Sequence, residues 1–194
     1  MKKIIKQLRV LLPLSLLVLF SSCLGLNLDI SLNANGSGTV TVEYQVSRYL
    51  DSLGRLDGNE RWNTIPVGRA DFERTLDRLP GMRLLSFSSR EDERDVVFNA
   101  RMEFETIQTL LSFLDAFGER SSFSGDASSG HLELILSDGR ENNNTAIDRL
   151  VTEVFRPYSV NINMTFPNGR SKAFSFPTHE VLTSSERIVI EFDW

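Results

Sequence analysis

The sequence predicts an α+β domain: a mostly antiparallel sheet with helices packed on one face. Three observations carry this. Apolar and polar residues alternate in many short segments, the period of a half-buried strand. Between some of these lie segments whose apolar residues recur three and four apart, the helical period. Asn-Gly, Pro-Gly, Asp-Gly and Pro-Asn-Gly punctuate the two kinds.

In chain order, Leu26, Leu28, Ile30 and Leu32 alternate with Asn27, Asp29, Ser31 and Asn33, which predicts a first strand. Ala34-Asn35-Gly36-Ser37-Gly38 is a tight turn, because Asn-Gly accepts the positive φ that hairpins require. Val40, Val42, Tyr44 and Val46 form the second strand, with Thr39, Thr41, Glu43 and Gln45 on its other face. Ser47 caps a short helix through Leu53, stopped by Gly54, and Arg55 to Gly68 reads as a polar loop.

Phe72, Leu76 and Leu79 share a helical face that Pro80-Gly81 ends. Met82 to Ser88 is a strand, and Ser89 to Asp95 a charged turn. Val96, Phe98, Ala100, Met102 and Phe104 alternate with outward Asn99, Arg101 and Glu103. Ile107, Leu110, Leu111, Leu114 and Phe117 make an amphipathic helix, with Gly118 as its C-cap.

Ser121 to Gly130 is a loop or a weak edge strand, and Leu132, Leu134 and Leu136 mark the next strand. Asp138-Gly139 through Asn144 is a turn. Asn144 or Thr145 caps a helix carrying Ile147, Leu150, Val151 and Val154, stopped at Pro157. Val160, Ile162, Met164 and Phe166 form a strand, and Pro167-Asn168-Gly169 turns the chain into Ala173 to Phe176. Thr178 to Ser185 is a loop or one helical turn, and Ile188, Ile190, Phe192 and Trp194 form the final strand.

The order strand, helix, strand, strand, helix, strand occurs from Thr39 to Leu136, and a similar order from Leu132 to Trp194. Both match the split β-α-β elements of ferredoxin-like folds. The expected organisation is a leader over residues 1–22 and one domain over 23–194. Two halves sharing a sheet, about 23–130 and 131–194, are the second arrangement the pattern allows.

The leader carries Lys2, Lys3, Lys6 and Arg9, then the apolar block Val10 to Phe20, then Ser21-Ser22-Cys23. The block is shorter than the ~20 apolar residues of a membrane span and fits the core of a secretory signal. Cys23 is the only cysteine, so no disulfide forms within one chain. Leu19-Phe20-Ser21-Ser22-Cys23 resembles the lipobox of bacterial lipoproteins. Phe20 stands where that family most often has Leu, with Leu19 one step back, as in the relaxed lipoboxes of spirochaetes. The resemblance implies cleavage before Cys23 and acylation of its thiol. The anchor followed by a Gly-rich hairpin is also similar to the LppM-type lipoproteins of mycobacteria.

The whole chain has 21 basic and 26 acidic residues. Four of the basic residues and none of the acidic ones lie in the leader, leaving 17 against 26, a net of −9. An acidic domain argues against a nucleic-acid partner. With strand-like sequence starting about three residues after Cys23, a reach of only ~10 Å, the domain is expected to sit against its membrane.

Chemistry is sparse. His131 and His179 are distant in sequence, and a zinc site needs further His or Cys ligands. Ser128-Ser129-Gly130-His131 sets hydroxyls beside an imidazole, but adjacency in sequence is not a triad. Asp126 and the Asp138-to-Asn144 loop lack the spacing of a calcium loop. Tyr49 and Trp62 lie in or beside a polar stretch where an exposed aromatic contacts a ligand or partner; the simpler reading is packing of that loop on the sheet. The expectation is a lipid-anchored protein of the bacterial cell envelope, on its periplasmic or surface face. It works without catalysis as an interaction, assembly or surface module, with Cys23 as lipid attachment and Tyr49 and Trp62 as contact residues. Its partners are the membrane, through the lipid, and an envelope protein; no metal or cofactor is expected. A membrane-apposed binder of lipid or another apolar ligand, and a hydrolase using Ser129 and His131, are the alternatives.

Overall fold

The structure is a computed structural model that describes residues 25–48, 68–93, 95–115, 120–126, 129–139 and 145–194. Cys23, Tyr49, Trp62 and Ser128 lie outside the described residues, as do the expected leader over residues 1–22 and most of the short helix expected after Ser47. The described residues form an α+β arrangement of nine strands and four helices, with mostly antiparallel sheets.

Strands β1 (Gly25–Leu32) and β2 (Gly38–Ser47) pair antiparallel as the expected hairpin. In its turn Gly36 takes φ 81°, and Asn35 Oδ1 accepts from the Ser37 main-chain N–H. Helix α1 (Arg69–Leu76) buries Phe72 and Leu76. Leu79, expected on the same helical face, is buried from the turn that follows; its N–H bonds to the Leu76 carbonyl.

Strand β3 (Met82–Glu91) is longer than the alternation predicts. Ser89, Arg90 and Glu91 stay paired with Phe98, Val97 and Val96, because an edge strand asks only main-chain partners of its polar end. A bulge between Leu84 and Ser86 turns Leu85 outward and keeps Leu84 and Phe87 against the core. Strand β4 (Asp95–Phe104) follows. Helix α2 (Ile107–Leu114) starts at Thr106, whose hydroxyl accepts from the Thr109 N–H.

The next elements are β5 (Ser122–Gly125), β6 (Gly130–Ser137), α3 (Thr145–Phe155), β7 (Ser159–Thr165), β8 (Ser171–Pro177), α4 (Thr178–Thr183) and β9 (Ile188–Asp193). The six-stranded sheet has the order β3-β4-β2-β1-β7-β8, and the three-stranded sheet the order β5-β6-β9. Only β1 and β7 pair in parallel. Strands β2 and β3 flank β4, with α1 as the crossover between them. After α2, however, β5 joins the small sheet, and β1 fills the place beside β2. The run β-α-β-β-α-β is therefore not completed within one sheet.

One core cluster spans both sheets. It joins Leu28, Val40, Tyr44, Phe98, Met102 and Ile162 of the large sheet to Phe72 of α1, Leu110 of α2, and Leu132, Ile190 and Phe192 of the small sheet. Each fully buried aromatic such as Phe104 or Phe192 contributes about 2–3 kcal/mol by leaving water. The sheets meet through rings: Phe192 is edge-on to Phe174 with centroids 5.3 Å apart, and Trp194 stacks on Phe166 at 5.3 Å. Val151 and Phe155 of α3 form a second, smaller cluster with Leu182 and Tyr158.

Candidate functional site

The alternation of β1, β2 and β7, and of β4 from Phe98 onward, gives the large sheet two unlike faces. The inner face holds the core. The outer face is polar along the three rows below, while at the start of β4 its Asp95 and Val97 are buried. Register turns its side chains into rows that cross all six strands. One row runs Ser175, Asn161, Asn27, Glu43, Asn99, Ser88. The next runs Ala173, Asn163, Asp29, Thr41, Arg101, Ser86, and a third Ser171, Thr165, Ser31, Thr39, Glu103, Arg83.

The rows are bonded laterally. Ser175 Oγ donates to Asn161 Oδ1 at 2.7 Å, and Asn161 Nδ2 donates to Asn27 Oδ1 at 2.7 Å. Asn27 Nδ2 donates in turn to Glu43 Oε1 at 3.2 Å. Asn163 Nδ2 donates to Asp29 Oδ1 at 3.2 Å, and Arg83 pairs with Glu103. All three carboxylates in these rows therefore have donors. The side chains of Thr41, Asn99 and Arg101 make no hydrogen bond or ion pair with a described residue. Arg101 is exposed, while Thr41 and Asn99 are half-buried between their neighbours.

A depression of about 250 Å³ lies over these rows, lined by Asn27, Leu28, Asp29, Thr41, Glu43, Asn99, Asn161 and Asn163. A second, of about 170 Å³, adjoins it through the shared Asn27 and Asn161 and reaches Gly25, Gln45 and Tyr158. Tyr158 closes that end, with its hydroxyl 3.4 Å and 3.5 Å from the two carboxylate oxygens of the buried Asp95. A third depression, of about 350 Å³, lies at the β1–β2 turn beside Ile107 and Phe123.

The second set of polar groups is on the small sheet. His131 Nδ1 lies 2.7 Å from Asp193 Oδ1, and register places Ser124 opposite His131 on the other side. The hydrogen bond from the His131 ring to the Asp193 carboxylate raises the His131 pKa above 6.5, opposed by desolvation and helped by the charges of Asp193, Glu191 and Glu133. Ser129 is elsewhere: its N–H bonds to Asp126 Oδ1 in the β5–β6 turn. Asp193 is 62 residues from His131 and only cross-strand register identifies it, whereas Ser124 faces His131 across the local β5–β6 hairpin. Hydrolysis needs an oxyanion site and a cleft, whereas this row lies on a face shared with Glu133 and Glu191. Among the described residues, no group of three or more His, Cys, Asp or Glu is placed to hold a metal ion, and no helix is long and apolar enough to cross a membrane.

The outward residues that β1, β2, β4 and β7 give these rows were legible as the polar half of an alternation. Their assembly into one face was not, because the parallel partner of β1 lies more than a hundred residues away. No protein-family model matches the chain, and no curated protein matches it.

Proposed function

We propose that this chain is a lipid-anchored protein of the bacterial cell envelope that works by binding, with the outer face of the large sheet as its contact surface. The observation that carries the binding surface is the set of rows from Ser175 to Ser88, polar, ordered by lateral hydrogen bonds and open over two adjoining depressions. Residues ordered in this way meet a partner with little further loss of side-chain entropy.

The leader and its lipobox-like end support the anchor. Gly25 opens a central strand of the sheet two residues past Cys23, so the acylated cysteine reaches at most ~7 Å from a rigid strand. The end of the sheet with Gly25, Gln45 and Tyr158 then faces the membrane. The hairpin tip at Asn35-Gly36 points away from it, and the polar face stands at the side. Leu26, Leu28, Pro157 and Tyr158 contribute to the depressions over the face, but amides, carboxylates and hydroxyls make most of the lining, which supports a polar partner over an apolar ligand. The β2-α1-β3 crossover around β4 supports a split β-α-β ancestry for the first half.

Two measurements test this. Intact mass of the protein from its native membrane, beside Cys23→Ala, is expected to show loss of the leader and gain of acyl mass in the wild type alone. A photo-crosslinking residue at Thr41 is expected to capture an envelope component in cells, and one at Ser122 on the small sheet is not. A wild type that keeps its leader sinks the anchor; capture at Ser122 but not Thr41 sinks the contact surface.

A further inference from the structure

We infer that helix α3 lies on the bilayer surface beside the anchor, with Leu150 and Val154 entering the boundary between headgroups and acyl chains. This deepens the proposed anchoring at Cys23 and rests on it. The first argument is the apolar surface of the helix. Ala146, Leu150 and Val154 recur every four residues and so form one stripe along α3. Ile147, Val151 and Phe155 form the stripe beside it. At ~100° per residue the two stripes together take up about half of the circumference. The protein covers only one of them. Val151 and Phe155 are buried and Ile147 packs against them, whereas Ala146 is exposed, Leu150 is 53% exposed and Val154 45%. The other large apolar side chain exposed among the described residues is Leu85, alone at the bulge of β3.

The second argument is where the open stripe leads. One turn beyond Val154 stands the exposed Pro157, which lines one depression with Tyr158 and Gly25. A Cβ on Gly25 would stand 3.6 Å from the Tyr158 ring. The Tyr158 N–H bonds to the Phe155 carbonyl, so the last turn of α3 is fixed against the first residue of β1. Gly25 is two residues past Cys23, a reach of ~7 Å. An acyl chain on Cys23 enters the bilayer there and brings the C-terminal end of the open stripe to the same surface. A helix with one broad apolar side and one charged side is the kind that lies in the plane of the interface.

Other occupants fit less well. A second copy of the chain would need ~800 Å² from each partner for a stable interface, and two exposed apolar side chains supply a small part of that. A bilayer sets no such threshold, because the anchor already holds the helix beside it. Headgroup attraction supplies none of the binding. Helix α3 and its last turn carry Asp148 and Glu153 against Arg149 and Arg156, and α4 adds Glu180. Glu153 is paired with Arg156 at 2.7 Å. The contact is therefore apolar, and neutral lipid suffices for it.

The test uses the chain purified from its native membrane and reconstituted in vesicles of dioleoylphosphatidylcholine. A photo-crosslinking residue replaces Leu150, Val154 or, as the control, Ser122. Phe123, next to Ser122, lines the depression at the hairpin tip with Asn35 and Gly36, at the opposite end of β1 from Gly25. Intact mass after irradiation reads the crosslink and the acyl mass on Cys23 together. An adduct of one lipid is expected at Leu150 and at Val154, at least tenfold above Ser122 and unchanged at high salt. In the chain with the crosslinker at Val154, Leu150→Asp is expected to cut the adduct at least fivefold, and Leu150→Met to keep it. Thermal melting is expected to be unchanged in Leu150→Asp, since that side chain is exposed. Absence of a lipid adduct, equal labelling at Ser122, a crosslinked dimer, a crosslink within the chain, or an adduct indifferent to Leu150→Asp each overturns the inference. If Cys23 carries acyl mass while Leu150 and Val154 take no lipid, this inference fails and the anchor stands. If Cys23 carries none and no lipid is captured, both fail.

Discussion

Lys172 on β8 donates from its ammonium to the main-chain carbonyl of Glu191 on β9 at 2.7 Å, joining an edge of the large sheet to an edge of the small one. The same ammonium lies 5.2 Å from the Phe174 ring centre and 6.0 Å from that of Phe192. It is the only lysine after Lys6. The alkyl stem and the charge act at one seam, where two edge strands would otherwise present unpaired main-chain groups.

Lys172→Met keeps most of the stem and removes the donor and the cation–π contacts. The exposed position limits the effect, and a loss of about 1 kcal/mol is expected in urea unfolding. Unchanged stability would show that the seam is held by the Phe174–Phe192 contact alone.

His131 is expected to titrate above 6.5, because its hydrogen bond to Asp193 and the nearby carboxylates favour the protonated ring. A raised pKa in the folded state means that the pair stabilises the fold below the ordinary histidine range. That contribution fades as pH rises through the folded midpoint. Imidazole chemical shifts followed from pH 5 to 9 read the midpoint directly. Asp193→Asn removes the first cause and is expected to move the midpoint down, with Glu133 and Glu191 keeping a smaller residual effect. A wild-type midpoint at or below 6.5 would mean that the His131–Asp193 contact does not persist in solution.

Two glycines of the first hairpin are expected to respond very differently to alanine. At Gly36 nothing lies within 4 Å of an added Cβ, so Gly36→Ala meets only the strain of φ 81°, about 1–2 kcal/mol. At Gly38 the added carbon would stand 2.1 Å from the Ser31 carbonyl oxygen and 2.5 Å from Phe104 Cζ. Phe104 is fully buried and has no room to retreat, so Gly38→Ala is expected to cost about 3 kcal/mol or more. Denaturant melts of the two variants decide it: equal losses would place the strain in the turn and not at the Phe104 contact.

The sequence disclosed β1, β2, β4, β6, β7 and β9 by their alternation and several turns by their glycines, so Gly36, Asn168-Gly169 and the hairpin of β1 and β2 were predictable locally. Ser89 to Glu91 read as a turn because their charges hide a main-chain ladder that asks nothing of the side chains. The long-range pairings left no local mark. The partnership of Leu26 with Val160 rests on two apolar inner faces matching at a distance, a condition many registers satisfy. The same holds for His131 and Asp193, on β6 and β9, three strands apart in sequence and adjacent in space. Departure of β5 to the small sheet is likewise decided by packing of Phe123 on Trp194, whose rings stack 5.8 Å apart.

The parallel junction of β1 and β7 makes a last test of that pairing. Asn161 Nδ2 reaches Asn27 Oδ1 across it at 2.7 Å and also bonds Ser159 Oγ at 3.0 Å. Asn161→Ala is expected to cost about 1 kcal/mol, because the outer face is partly wet and water replaces some of the lost bonds. In a double-mutant cycle, Asn27→Ala and Asn161→Ala together should cost less than their sum, with a coupling of about 0.5–1 kcal/mol. Asn27→Ala paired with Ser88→Ala, at the far end of the same row, should be additive, since Ser88 is two strands removed from the bonded set. Strict additivity of the first pair would mean that the strands are not held in this register, and the rows of the outer face would go with it.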